Sequence, residues 1–271
     1  MASPPQLKAG RRLRLLAVAA LALLAAAAGP ITPVAAQQKA VVVAFGDSVT
    51  KGFVPTSDAN IPYTITLEQL LRARFGGGAR VDNANSGAAA LLPAPGKALM
   101  APPIYAVLST PQASQYDWAV FMLGTNDLLM GHRSAGEVVA AARPLIDAAL
   151  AKGSKVMLLT MPPTAISTAE QERERQALNE RYKALAREYR SRGKGVSTVD
   201  LDRGWLDRLG GGFAQSARVT LEDGVHLCRA CYQRLGGIVF RAMGAVDGWC
   251  GGGGKKGAAV VSASDVGGLG C

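Results

Sequence analysis

Residues 40–45 read Ala-Val-Val-Val-Ala-Phe, an apolar run rich in valine with no polar residue at either set of alternating positions. A strand of this kind cannot keep one face in water, so it belongs inside a parallel sheet covered on both sides by helices. Shorter runs at 79–84, 117–123, 155–160 and 195–200 read as four further strands. Helical patterns fall between them, at 62–75, 134–151 and 169–192. In the first, Leu67, Leu70, Leu71 and Phe75 recur at spacings of three and four, and Gly76-Gly77-Gly78 ends the pattern. In the second, Ser134 and Glu137 form a capping box. Strand and helix therefore alternate, which predicts an α/β chain of three layers, α/β/α, with right-handed crossovers.

In such sheets ligands bind beyond the carboxyl ends of the strands. Three polar segments fall there: Gly46-Asp47-Ser48 after the first strand, Gly124-Thr125-Asn126-Asp127 after the third, and Asp223-Gly224-Val225-His226 beyond the fifth. The chain has only two histidines, His132 and His226, so a serine nucleophile has few imidazole partners to choose from. A carboxylate three residues before His226 is placed to hold its tautomer and steady the imidazolium. Asn126 offers an amide where an oxyanion would form. Gly46 is expected to permit a tight turn that leaves the Ser48 hydroxyl at the mouth of the site. No Gly-x-Ser-x-Gly elbow occurs in the chain.

Together and in this order, the Gly-Asp-Ser, Gly-Thr-Asn-Asp and Asp-x-x-His segments resemble those of the SGNH (GDSL-type) hydrolase superfamily of esterases and lipases, over residues 41–243. The resemblance implies a parallel, flavodoxin-like central sheet of about five strands. It also implies Ser48 as nucleophile, His226 as base and Asp223 as its orienting carboxylate. The oxyanion donors would be the Ser48 backbone N–H, the Asn126 side chain and a glycine N–H. For that glycine the pattern slips, since Val81-Asp82-Asn83-Ala84-Asn85-Ser86-Gly87 brings Ser-Gly one residue early. Gly87 is favoured, and Ala88 stays open because a backbone donor does not require glycine. The implied activity is carboxylic ester hydrolysis through an acyl-enzyme, on short-acyl esters such as acetylated carbohydrate. Alternatives are an acyltransferase with the same triad, a lipase or lysophospholipase, and a non-catalytic glycan-binding module. The chemistry needs no cofactor or metal.

Other polar residues read more plainly. Asp47 and Asp127 are expected to brace their loops through nearby backbone N–H groups, and His132 to be a loop residue at the pocket edge. The proline-rich stretch from Leu91 to Ile104 reads equally as a pocket wall or as an irregular surface loop, and Met161-Pro162-Pro163 as a possible addition to the rim.

Four cysteines, Cys228, Cys231, Cys250 and Cys271, lie late in the chain. A lone C-x-x-C lacks the second pair that a zinc site needs. The expectation is instead a disulfide between Cys250 and either Cys228 or Cys231, with Cys271 unpaired or intermolecular. Residues 1–36 read as a secretory signal: Lys8, Arg11, Arg12 and Arg14 precede the apolar run 15–28, and Val34-Ala35-Ala36 closes it. An uncleaved membrane anchor is the alternative, and export the expected destination. Residues 37–247 form the expected domain, and the Gly/Ala/Ser-rich 248–271 a flexible tail. The chain holds 30 basic and 20 acidic residues; four of the basic ones sit in the leader, so the excess of +10 falls to +6 without it. That modest excess and 6% aromatics point away from nucleic acid. The expected partner is a small-molecule or polysaccharide ester, with no stable membrane insertion once the leader is gone. Oligomeric state is not assigned.

Overall fold

The computed structural model describes residues 40–57, 59–87, 89–93, 95–99, 101–201, 223–250 and 257–263. The expected leader at 1–36, Ala88 and Cys271 lie outside them. Strand β1 (Val41–Gly46) is followed by the one-turn helix α1 (Ser48–Lys51) and a small antiparallel pair, β2 (Phe53–Val54) and β3 (Ala59–Asn60). Then come α2 (Tyr63–Phe75), β4 (Arg80–Asn85), α3 (Ala101–Leu108), β5 (Trp118–Met122), α4 (Thr125–Leu129) and α5 (Ala135–Ala151). The chain continues through β6 (Lys155–Leu159), α6 (Ala169–Ser191), β7 (Val196–Asp200), α7 (Arg229–Asp247) and β8 (Val260–Ser262).

Six strands pair in the order β4-β1-β5-β6-β7-β8, all parallel. The period-two alternation along β1 sorts the core into two layers. Val42 and Ala44 face a layer that includes Leu67, Leu71, Tyr232, Leu235 and Val239 from α2 and α7. Val41, Val43 and Phe45 face the other, with Ile104, Val138, Leu145, Leu178 and Tyr182 from α3, α5 and α6. All of β1 is buried, as its composition requires. The capping box of Ser134 and Glu137 is present at the start of α5, and Thr168 and Gln171 make a second one at the start of α6.

Two expectations need correction. The sheet has a sixth strand, and it comes from the segment read as a flexible tail. Val260–Ser262 lies against β7, Ala259 O accepts from Thr198 N at 2.8 Å, and Ala263 N donates to Asp200 O at 3.0 Å. Val261 and Ala263 are buried. Without this strand β7 would present a row of unpaired backbone groups at the sheet edge, and a few residues suffice to satisfy them. The second correction is α3, which begins inside the proline-rich stretch. Pro102 and Pro103 occupy its first turn, where a missing N–H breaks no helical bond. Ile104 and Leu91 then pack into the core beside it.

Candidate active site

The register of β1 with its neighbours brings three strand ends together. Gly46 stands opposite Asn85 of β4 on one side and Met122 of β5 on the other. Ser86 N donates to Gly46 O at 2.8 Å, which continues the pairing past the end of β4. Asp47-Ser48, Ser86-Gly87 and Leu123–Asn126 therefore leave the same edge of the sheet side by side. Because β4 and β5 flank β1 on opposite sides, this edge is also where the chain's winding direction reverses. Gly46 is not in the left-handed region. A Cβ there would meet the Thr50 side chain and come within 2.8 Å of Met122 O. Close approach of the neighbouring strand, and not a turn as expected, is what requires glycine.

Asp47 caps α1, its Oδ1 accepting from Val49 N at 2.9 Å. Its side chain is fully buried, and burial pushes the carboxyl up to about 6 against the opposing hydrogen bond from Val49 N–H. Ser48 opens the helix and is half-buried. His226 Nε2 lies 2.7 Å from Ser48 Oγ, across 178 residues of sequence. His226 Nδ1 lies 2.7 Å from Asp223 Oδ2. Asp223 Oδ1 meanwhile accepts from Val225 N at 2.9 Å and His226 N at 2.7 Å, so one carboxylate holds both the ring and the turn. Burial works against the charge on Asp223, but these bonds from His226 and Val225 outweigh it and the carboxyl sits below its ordinary range. The imidazole is fixed with Nδ1 toward the carboxylate and Nε2 toward the hydroxyl, the arrangement in which it can accept a proton from serine.

Packing supports the histidine turn. Phe53 meets the His226 ring edge-on, with centroids 5.0 Å apart, and Phe53 O accepts from Tyr232 Oη of α7 at 3.0 Å. Gly224 O accepts from Ala165 N at 2.7 Å. Cys228 and Cys231 are bonded to each other, with Cα atoms 5.0 Å apart. This corrects the expectation that one of them reaches Cys250, which is disulfide-bonded but not to either. The reason is geometric: Cys228 caps one end of the 19-residue α7 and Cys250 follows the other. A helix of that length separates its ends by about 28 Å, far beyond disulfide reach.

Opposite the hydroxyl lie the candidate oxyanion donors. Asn126, in the first turn of α4, donates one amide hydrogen to Ala89 O at 2.9 Å, leaving the other N–H of the amide for a ligand. Gly87 has φ +55°, and a Cβ there would touch nothing within 4 Å. Backbone conformation, not crowding, selects glycine at this point. Asp127 braces a distant loop as well as its own backbone: its two oxygens accept from Leu91 N at 3.0 Å and Leu92 N at 2.8 Å, and its own N–H adds to these. Burial raises its pKa in spite of those bonds.

Ser48, His226, Gly87 and Asn126 line one cleft of about 370 Å³, together with Phe53, Lys51, Lys97 and the exposed Met130 and Ile166. His132 is elsewhere, with φ +49°, beside a separate hollow that it lines with Arg133, Glu170 and Glu174. Met161, Pro162 and Pro163 are buried, not at the rim, because Arg175 and Asn179 of α6 both donate to Met161 O and Asn179 accepts from Met161 N. Ile166, a few residues on, forms the rim instead. Among the described residues no cluster of three or more His, Cys, Asp or Glu side chains could hold a metal ion. Lys51, Phe53, Lys97 and Ile166 belong to no motif, and nothing in the sequence marks them as cleft residues.

Residues 44–234 match the profile of the GDSL-like lipase/acylhydrolase family. Among curated proteins no sequence matches this chain. Solved structures share its fold at low identity. Est24, a carbohydrate acetylesterase from Sinorhizobium meliloti, is 23% identical over 76% of this chain and 99% of its own, with a TM-score of 0.56. A carbohydrate acetylesterase family member from the same organism is 20% identical over 76% and 97%, at 0.57. A carbohydrate esterase family 3 protein from Talaromyces cellulolyticus is 19% identical over 75% and 96%, at 0.52.

Proposed function

The chain belongs to the GDSL-like lipase/acylhydrolase family, and on that premise we propose that it is an exported serine ester hydrolase acting on short-acyl esters, acetylated carbohydrate among them. The observation that carries this reading is the unbroken chain of hydrogen bonds from Asp223 through His226 to Ser48, each of 2.7 Å.

The mechanism follows from that chain. Ser48 Oγ attacks the ester carbonyl while His226 Nε2 takes its proton, and Asp223 stabilises the imidazolium that forms. The tetrahedral oxyanion accepts hydrogen bonds from Ser48 N–H, Gly87 N–H and the free N–H of the Asn126 amide. Loss of one such donor typically costs about 2.7–4 kcal/mol of transition-state stabilisation. His226 then gives its proton to the departing alcohol, and the acyl group stays on Ser48. Water, deprotonated by the same imidazole, releases the acid and restores the hydroxyl. Asp47 takes no part in proton transfer; its place beneath α1 makes it a positioning residue.

A small acyl group suits a cleft of about 370 Å³ whose reacting end lies directly against the strand edges. The carbohydrate acetylesterases that share the fold favour the same substrate class. The export part of the reading rests on the basic and apolar pattern of residues 1–36. Purified protein assayed on p-nitrophenyl acetate through palmitate and on acetylated xylan is expected to favour the short esters, with turnover abolished in Ser48→Ala. An acceptor alcohol in the same assay separates hydrolysis from acyl transfer. Activity retained by Ser48→Ala, or ester cleavage absent from the wild type, would overturn the proposal.

A further inference from the structure

Resting on that reading, we propose that the preferred ester carries a carboxylate on its alcohol part, bound by Lys51 and Lys97, and that the substrate class is an O-acetylated uronide. Both lysines line the cleft that holds Ser48 and His226, and both are half-buried. Neither has an ion pair or a side-chain hydrogen bond among the described residues. Other lysines of the fold do: Lys155 meets Asp247 at 2.5 Å, and Lys183 meets Asp200 at 2.9 Å and Glu180 at 2.6 Å. Among the described residues, the cleft thus keeps two cations without counter-ions in the same lining as Ser48.

Their placement is built, not incidental. Lys51 follows Ser48 by three residues on the single turn of α1, so the two share a helix face. Lys97 comes from the loop across the cleft, which is pinned at both ends. Asp127 holds Leu91 and Leu92, and Ala90 N donates to Ala98 O at 2.9 Å, next to Lys97. Among the described residues the nearby carboxylates are engaged or buried: Asp223 by His226 and Val225, Asp127 by its loop, and Asp47 by full burial. Among the described residues no Asp or Glu lines the cleft, and Lys51 and Lys97 give that lining a positive charge. Met130 and Ile166 make the remaining rim apolar, suited to the C–H faces of a sugar ring and not to its charge. On a uronide the acetyl ester and the ring carboxylate lie only a few atoms apart, so one cleft lined by Ser48, Lys51 and Lys97 can take both.

The test compares one sugar ester in two forms, a methyl O-acetyl-galacturonoside as the free carboxylate and as its methyl ester. The quantity read is the ratio of their kcat/KM values within each variant, so that general damage cancels. The wild type is expected to favour the carboxylate, by roughly two- to fivefold for each lysine, as for partly solvated ion pairs. High salt should shrink that ratio. Lys51→Gln combined with Lys97→Gln should bring it toward one, and Lys97→Glu should invert it. Equal cleavage of the two forms by the wild type, or a ratio that the lysine variants leave in place, overturns this inference alone. An anionic phospholipid ester cleaved faster than the uronide overturns the substrate class. Cleavage of neither sugar ester, nor of p-nitrophenyl acetate, overturns the hydrolase reading and this inference with it.

Discussion

Ser48 and His226 meet across a single hydrogen bond, yet the segments that carry them are held by different forces. Ser48 extends from a strand buried on both faces and paired on both edges, over a fully buried Asp47. His226 lies off the sheet, in a turn held by one carboxylate, one backbone bond to Ala165, the ring of Phe53 and the first turn of α7. The serine half is thus fixed by the core, where a single added methyl group would clash with Met122 O. The histidine half is fixed by local polar bonds at the surface. Damage to the first should register in stability, and damage to the second mainly in turnover.

The sharpest way to break that contrast is His226→Ala. Ester turnover is expected to fall by a factor on the order of 10⁴ to 10⁶, as for other members of a serine triad, while the melting temperature moves by only a few degrees. A large loss of stability would show that the histidine turn is part of the structural frame.

Asp47→Asn tests the other half. The folded carboxyl titrates near 6 against an ordinary value of 3.8, so the folded state binds a proton more tightly than the unfolded one. Wild-type stability therefore declines relative to the variant as pH rises from about 4 through about 6, and the difference at neutral pH is roughly 3 kcal/mol. Urea unfolding of both proteins at acid and neutral pH checks the sign. A difference that does not change with pH would mean that the carboxyl titrates alike in the folded and unfolded states.

The smallest effect belongs to the disulfide beside the histidine turn. Replacing Cys228 and Cys231 by serine opens a very short loop, worth roughly 2 kcal/mol in the chain-entropy view. Thermal melting of this double variant should show a correspondingly modest drop, and a loss larger than that of Asp47→Asn in the reverse direction would upset the ranking.

The contrast between the halves also explains what was legible in the sequence. Strands β1, β5 and β6 were legible because burial on both faces demands apolar runs, which few other structures share; β7, with Ser197 and Thr198 inside it, was legible as a short, largely β-branched run. The Ser48 and Asn126 segments were legible because they follow the ends of β1 and β5, and the Asp223–His226 segment because it sets a carboxylate three residues before an imidazole. Strand β8 was hidden among glycines, since an edge strand needs only a free neighbour and two valines. Helix α3 was hidden by its prolines, which are harmless only at a helix start that the sequence does not announce. The Cys228–Cys231 bond was misread because its alternative required knowing that α7 runs unbroken to Asp247. Lys51 and Lys97 carried no signal at all. A lysine is most often a solvated surface residue, and only the pinned loop after Gly87 and the turn after Ser48 bring these two to one cleft.

The central claim is that Ser48 is activated by an imidazole 178 positions away. Labelling with a fluorophosphonate, followed by peptide mapping, tests it directly. The account predicts one adduct, on Ser48, formed rapidly in the wild type and lost or greatly slowed in His226→Ala. An adduct on another serine, or labelling of Ser48 that proceeds equally well without His226, would contradict it.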